Sequence, residues 1–298
     1  MTGGGPSWNL ASDLDQLLSY HFMVNALEAG TIVAVMAGVI GWFMVVRRQT
    51  FAGHTLSVIA FPGAAAAALA GLPLAVGYFT FCGGGALILA AVGGSSGARR
   101  HSSESASIGS LQAFALALGF LFLSLYRGAL GSVESQLFGA FVGIDDNQVL
   151  VLLIAAAVAL ALIAAAARPL LFASIDPEVA RAAGVPVPAV AVGFLFLLGL
   201  GVAATSQITG ALLVFALLVT PAATAQLLTA RPALGLGLAV LIALTVTWVG
   251  LGIAYFSPYP VGFWVTSLSF GLYVLARIAV APMTVRRRRT HREVVADA

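Results

Sequence analysis

Long apolar runs alternate with short polar connections along the chain. A membrane-spanning helix needs about 20 mostly apolar residues, and we count nine such runs. The predicted spans are 24–46, 54–72, 74–92, 108–126, 148–167, 189–206, 207–229, 233–254 and 260–278. We expect an all-α polytopic membrane protein with eight or nine spans, because the connections within 54–92 and 189–229 are short enough to hide re-entrant or broken helices.

Composition supports this interpretation and narrows the possible functions. Only 8% of the 298 residues are charged and 60% are hydrophobic, whereas a soluble domain carries about 25% charged residues. This excludes a soluble enzyme, a nucleic-acid-binding protein and a disordered scaffold. We expect one transmembrane domain over 1–298. Cys82 is the sole cysteine, which excludes internal disulfides and a cysteine-based metal cluster.

Arginine residues predict the orientation of the chain. All 14 basic residues are arginine, and most fall in alternate connections between spans, which lie on the same side of the membrane. The positive-inside rule places that side in the cytoplasm. These residues are Arg47, Arg48, Arg99, Arg100, Arg168, Arg181, Arg231, Arg286 to Arg289 and Arg292. The Arg-rich tail 279–298 is therefore predicted to be cytoplasmic, and nine spans put the N-terminus outside. Segment 1–22 is predicted to lie at the membrane interface.

One cytoplasmic connection has the start and stop signals of a short helix, 177–183. Asp176 is placed to cap it, Pro177 takes the first helical position and Glu178 complements the helix dipole. Gly184 can adopt the left-handed conformation that ends a helix. The segment is either an ordinary connector or a docking element for a cytoplasmic partner.

Ionisable residues at membrane depth are costly and are candidates for function. Glu28 lies early in the first span, and His54 begins the second with Ser57 one turn later. Pro62 and Gly63 are expected to kink or break that helix, which can free carbonyl groups to line a cavity. Neutral imidazole is a common metal ligand, although a single membrane histidine is as often a packed or interfacial residue.

Two further features bear on chemistry and energy supply. Gly93, Ser95 and Gly97 form a string found in hydrolases, but they lie in a Gly/Ser-rich segment that is typical of a flexible loop. The chain has no lysine and therefore no phosphate-binding loop of the Gly-Lys type. Because a gradient-driven carrier usually needs several membrane carboxylates, we expect any energy to come from ATP bound on a separate chain.

Three stretches of sequence together resemble a known family. The first comprises Ala29-Gly30, Gly38, Gly41 and Arg47-Arg48, followed by Phe51, Gly53, Leu56-Ser57 and Pro62-Gly63. The second is Leu137-Phe138-Gly139. The third joins Asp176-Pro177-Glu178, Ala180-Arg181 and Gly184-Val185-Pro186 to Gly210-Ala211-Leu212-Leu213 and Leu217-Leu218-Val219, Pro221-Ala222-Ala223 and Ala225. In order and spacing they resemble the membrane permeases of zinc/manganese-type ABC importers, from about residue 20 to 280.

The resemblance implies a type II importer-like permease in the bacterial cell membrane, which is a transporter subunit and not an enzyme. It implies a homodimer, two copies of a separate ATPase subunit and an extracytoplasmic substrate-binding protein. Segment 177–183 would be the coupling helix, with Asp176, Pro177, Glu178, Arg181 and Gly184 as its docking residues. ATP would be bound by the partner and no cofactor by this chain, and alternating access would carry the cargo along the dimer interface.

One departure from the family bears on the cargo. The family's second span has an aspartate directly after the glycine and a histidine four residues later, where this chain has His54 and Val58. Two protomers would then offer two imidazoles, which favour zinc over manganese. The resemblance therefore implies import of a divalent transition metal, with zinc first and manganese second. The alternatives are a permease for a chelated metal or small organic solute, and a membrane assembly protein without transport.

Overall fold

The computed structural model describes residues 15–93, 101–126, 144–210 and 214–296, and every regular element in them is a helix. The helices are α1 (His21–Val46), α2 (Thr50–Ala70), α3 (Leu74–Gly93), α4 (His101–Leu125), α5 (Asp146–Ile175), α6 (Pro177–Ala182), α7 (Val187–Thr209), α8 (Val214–Leu228), α9 (Pro232–Tyr255) and α10 (Val261–Ala296). The all-α membrane architecture predicted from the sequence is confirmed. Most of segment 1–22, the Ser95 loop, Leu137-Phe138-Gly139 and residues 211–213 lie outside the described residues.

Eight of the described helices are long and apolar enough to cross a membrane. The exception among the predicted spans is 207–229. Its helix, α8, has 15 residues, which at 1.5 Å each is about 22 Å and less than a bilayer core of about 30 Å. Nine full-length spans are therefore not present in the described residues, which contain eight helices of spanning length. The last span helix, α10, continues beyond the predicted 260–278 to Ala296.

Polar contacts fix the relative direction of α1 and α5. At one end His21 Nε2 lies 3.0 Å from Asp146 Oδ1. At the other, Arg47 Nη1 donates to Ser174 Oγ at 3.1 Å. The two helices therefore run parallel, and we call these the His21 end and the Arg47 end of the bundle. Helix α9 runs in the opposite direction beside α1, since Gly38 lies against Val240 and Gly30 against Thr247 and Leu251.

Glycine residues let several helices pack backbone to backbone. A Cβ atom on Gly41 of α1 would overlap the carbonyl oxygen of Leu218 of α8. Gly63 of α2 and Gly77 of α3 lie against each other's carbonyl groups in the same way. Close approach of this kind drives helix association in lipid, where apolar burial gives no advantage. The fully buried large side chains include Met36, Ile40, Met44, Leu56, Phe194, Leu198, Leu217 and Leu218.

The outside of the bundle is strongly apolar. Helices α4, α5 and α10 expose large hydrophobic side chains, among them Phe114, Phe120, Leu150, Ile154, Leu162, Phe270, Leu275 and Ile278. A soluble protein would not expose such continuous apolar surface, whereas lipid tails solvate it. The packing therefore agrees with the sequence in placing this chain in a membrane.

Candidate functional site

The short helix predicted at 177–183 is present as α6, Pro177–Ala182. Asp176 Oδ1 accepts hydrogen bonds from the backbone N–H groups of Glu178 at 3.1 Å and Val179 at 3.0 Å. These bonds satisfy two of the donors that a helix start leaves free. Gly184 follows the helix with φ of 85°, the left-handed conformation predicted for it. Local sequence signals therefore account for both ends of α6.

Helix α6 presents an uncovered surface at the Arg47 end. Only Ala180 is buried, whereas Val179 is 52% exposed and Ile175, just before the helix, is 70% exposed. Glu178 and Arg181 are exposed as well. Apolar side chains flanked by opposite charges, beyond the end of a membrane helix, have the composition of a protein contact site.

His54 lies in the first turn of α2 and is partly exposed. Its ring centroid lies 4.8 Å from that of Phe215, at the start of α8. Its Nδ1 atom is buried and has no hydrogen-bond partner among the described residues. A buried imidazole nitrogen without a partner is uncommon, so Nδ1 of His54 is available to a ligand.

Ser57 does not share this environment. It is buried, and its hydroxyl donates to the backbone carbonyl of His54 at 2.7 Å. Thr55 instead makes the cross-helix contact at this level, because it accepts a hydrogen bond from Gln112 of α4 at 2.8 Å. The structure thus places Ser57 within the packing of α2, and its predicted part in a metal pathway stays a prediction.

Glu28 lies apart from His54. It is exposed on α1, two turns after His21, and lines an apolar cavity of about 1170 Å³ near the His21 end. Thr31 lines the same cavity and accepts a hydrogen bond from Trp248 Nε1 at 2.9 Å. His54 lies one turn beyond the Arg47 corner instead. The structure therefore does not bring Glu28 and His54 together in one chain, as a shared site would require.

The break expected at Pro62 and Gly63 is not present. Helix α2 runs from Thr50 to Ala70 through Pro62. Both residues are buried, and Gly63 lies at the contact with Gly77 of α3. Neighbouring helices can accommodate a proline within a membrane helix, and here the glycine serves close helix packing.

Three polar features were not anticipated. At the His21 end, the amide of buried Asn25 donates to Asp146 Oδ1 at 2.7 Å and to the carbonyl of Ile144 at 3.0 Å. At the other end Arg47, interpreted from the sequence as a topology marker and as part of the family resemblance, contacts two further helices. The end of α7 carries buried Thr205, Ser206 and Thr209, and its Gln207 Nε2 is buried without a partner among the described residues.

A signal for the α7 feature was available in the sequence. Residues 205–207 are a run of polar residues at the predicted boundary between spans 189–206 and 207–229. The helix in fact continues to Thr209, because each hydroxyl donates to a carbonyl four residues earlier: Thr205 to Gly201, Ser206 to Val202 and Thr209 to Thr205. Polar residues of this kind are tolerated inside a buried helix when their bonds close locally.

One chain does not assemble a complete metal site within the described residues. No three His, Cys, Asp or Glu side chains there are grouped closely enough to hold an ion. His54 is the only one of the predicted pathway residues that is both partly exposed and left with an unpaired polar atom. A metal passing His54 would need ligands from water or from a second chain.

Comparison with known proteins identifies the family that this chain matches. Residues 19–280 match the ABC 3 transport family. The chain is 34% identical over 249 residues to the manganese transport system membrane protein MntC of Halalkalibacterium halodurans, covering 84% of this chain and 83% of that protein. It is 27% identical over 289 residues to the manganese import system permease protein ScaB of Streptococcus pneumoniae, covering 93% and 96% of the two chains.

A solved structure agrees over nearly the same length. PsaBC from Streptococcus pneumoniae, in complex with a Fab, superposes on this chain with a TM-score of 0.79 at 28% identity. The match covers 90% of this chain and 95% of that chain.

Proposed function

Since the chain belongs to the ABC 3 transport family, we propose that it is the membrane permease of an ABC importer for a divalent transition metal. The single observation that carries the proposal is α6, a capped helix with an exposed mixed surface outside the bundle. The matched relatives named for manganese transport support the cargo class. The three sequence stretches that resemble metal-importer permeases point to the same class.

We propose that α6 docks on a separate ATPase subunit. The chain lacks lysine and any nucleotide-binding signature, which supports placing ATP hydrolysis on a partner. Two copies of the permease would carry two ATPase subunits, and an extracytoplasmic binding protein would deliver the metal. This arrangement puts α6 and the C-terminus in the cytoplasm and the His21 end outside.

We propose that the metal passes His54 at the interface of two permease copies. Each chain supplies one imidazole with an unpaired nitrogen, so a homodimer would supply two. Few ligands suit transient binding, which conduction requires. The names of the relatives favour manganese, whereas imidazole ligands favour zinc. We therefore take manganese as the first cargo and zinc as the competing one.

A charge on the apolar face of α6 tests the docking. Val179→Asp is expected to abolish binding of the ATPase subunit and to lower metal uptake by about tenfold or more, because a charge buried at an interface without a partner is costly. Leu228→Asp is the matched control, since Leu228 is 49% exposed and Val179 52%. Co-purification in detergent and uptake by proteoliposomes measure the two effects. Equal ATPase binding by both variants would rule out docking through α6.

Substitution of His54 tests the pathway and the cargo together. His54→Ala is expected to lower uptake about tenfold with ATPase binding intact, and His54→Asp to raise manganese uptake relative to zinc uptake, because carboxylate oxygen suits manganese. His21→Ala, at the opposite end, is the control. Uptake of radioactive manganese and zinc measures both variants. Unchanged rates and preference would remove His54 from the path.

A further inference from the structure

Arg47 occupies the corner between α1 and α2 and contacts three other side chains. Its Nη1 donates to Ser174 Oγ of α5 at 3.1 Å, and its Nε donates to Gln49 Oε1 at 3.3 Å. Its guanidinium carbon lies 5.2 Å from the centre of the Phe194 ring of α7. The side chain is half-buried, and burial lowers the pKa of Arg47 from its ordinary value. Partial desolvation strengthens charged contacts of this kind.

The two distant partners of Arg47 flank α6 on either side. Ser174 precedes the capping Asp176 by two residues. Phe194 lies two turns into α7, which begins at Val187 after the connection that follows α6. Arg47 therefore contacts both helices between which α6 is suspended, and any displacement of α6 changes the position of at least one of them.

The corner that carries Arg47 is closed by its own hydrogen bonds. Arg48 N donates to the carbonyl of Val45 at 3.0 Å, and Gln49 N to that of Met44 at 2.9 Å. Arg48 has φ of 56°, a left-handed conformation that is rare for residues other than glycine. These two backbone hydrogen bonds tie the corner to the end of α1, directly before the first turn of α2. His54 follows it by one turn of α2.

We infer that Arg47 is a positioning residue that couples α6 to the first turn of α2, where His54 lies. A movement of α6 reaches Arg47 through Ser174 and Phe194, and the corner passes it to α2. The inference rests on the proposed docking of α6 on an ATPase. It adds the physical link by which docking reaches the metal path, since coupling needs an element that both sites displace.

The test compares two neighbouring arginines in the assembled transporter. Arg47→Gln and Arg48→Gln each remove one positive charge from the same corner, but only Arg47 makes the contacts described above. Wild type and variants are reconstituted with the ATPase and binding protein in liposomes, with manganese supplied outside. Metal uptake and ATP hydrolysis are measured together. For Arg47→Gln we expect hydrolysis within about twofold of wild type and about tenfold less metal moved per ATP.

Four variants separate coupling from charge and from folding. Arg48→Gln is expected to retain the wild-type ratio of metal to ATP. Arg47→Lys is expected to fall between wild type and Arg47→Gln, because lysine keeps the charge but lacks the planar fork. Should Arg47→Gln fail to assemble, Ser174→Ala and Phe194→Leu remove one contact each and are expected to lower the same ratio.

The outcomes that overturn the inference are specific. Equal ratios in the Arg47→Gln and Arg48→Gln transporters would mean that only the charge of the corner matters. A proportional fall of uptake and hydrolysis in Arg47→Gln would mean a structural role without coupling, as would wild-type ratios in Ser174→Ala and Phe194→Leu. Failure of the wild-type chain to bind any ATPase would instead contradict the proposed function itself.

Discussion

Helices α1 and α5 are joined at both ends, by a carboxylate at one end and a guanidinium at the other, and the two junctions connect different numbers of helices. At the His21 end the carboxylate of Asp146 is held by His21 and Asn25, all within these two helices. At the Arg47 end a guanidinium bonds Ser174 and also covers Phe194 of α7. The first junction ties two helices together, whereas the second gathers three.

This difference assigns the two ends different tasks. The His21 end fixes the relative position of α1 and α5. The Arg47 end leads directly into α6 on one side and into α2 on the other. Substitutions at the two ends should therefore affect different properties of the transporter, and by different amounts.

The largest expected effect comes from the packing of α1 near the Arg47 end. Gly41→Ala places a methyl group on the carbonyl oxygen of Leu218, which is backbone and cannot turn aside. We expect a loss of about 3 kcal/mol in the free energy of unfolding, only partly offset by about 1 kcal/mol from the better helix propensity of alanine. Thermal unfolding in detergent measures the change.

Gly30→Ala is the matched control toward the His21 end. Its new methyl group would lie 3.0 Å from the side-chain atoms Leu251 Cδ1 and Thr247 Cγ2. Side-chain ends can shift, so we expect a change of no more than about 1 kcal/mol. If both alanine variants unfold at the wild-type temperature, α1 is not held against α8 as closely as the structure indicates.

A smaller effect is expected from the junction at the His21 end. Asn25→Ala removes two hydrogen bonds of a buried amide and leaves the Ile144 carbonyl without its partner. We expect a loss of about 1–3 kcal/mol in stability with an unchanged ratio of metal moved to ATP hydrolysed. His21→Ala removes an exposed partner of Asp146 and is the control, with stability close to wild type. A lowered ratio in Asn25→Ala would contradict the division of tasks between the ends.

The elements of this fold that the sequence predicts are those with local causes. Helix α6 is one, because Asp176, Pro177 and Gly184 act on neighbouring backbone groups and need no tertiary partner. The spans are another, because the bilayer imposes their length and apolar character. The same reasoning could not decide whether 207–229 forms a full-length span, because a short apolar helix and a long one have the same composition.

The candidate site was less predictable because its geometry depends on contacts between distant residues. The unpaired Nδ1 of His54 is buried, and the His54 ring lies beside Phe215, which is 161 positions further along the chain. Pro62 suggested a break, but contact with α3 holds α2 continuous. The sequence marked Arg47 for topology and for the family resemblance, but its hydrogen bond to Ser174 and its contact with the Phe194 ring depend on α5 and α7 lying beside α1.

The smallest expected effect concerns two aspartates that cap helices, one at each end of the bundle. Asp145 Oδ1 accepts from Gln148 N at 2.8 Å at the start of α5, as Asp176 does at the start of α6. Replacing either by alanine is expected to remove about 1 kcal/mol of helix stabilisation. The consequences should differ, because α5 has 30 residues packed along the bundle, whereas α6 has six and one buried side chain.

For Asp176→Ala we therefore expect the affinity for the ATPase subunit to fall roughly fivefold, since about 1 kcal/mol of ordering would have to be supplied on binding. Asp176→Ser keeps a capping oxygen and should restore most of the affinity, while Asp145→Ala should leave it unchanged. Titration of labelled ATPase against each variant in nanodiscs measures the three affinities. An equal loss for Asp145→Ala and Asp176→Ala would mean that capping acts on the whole bundle, and the contrast between its two ends would not hold.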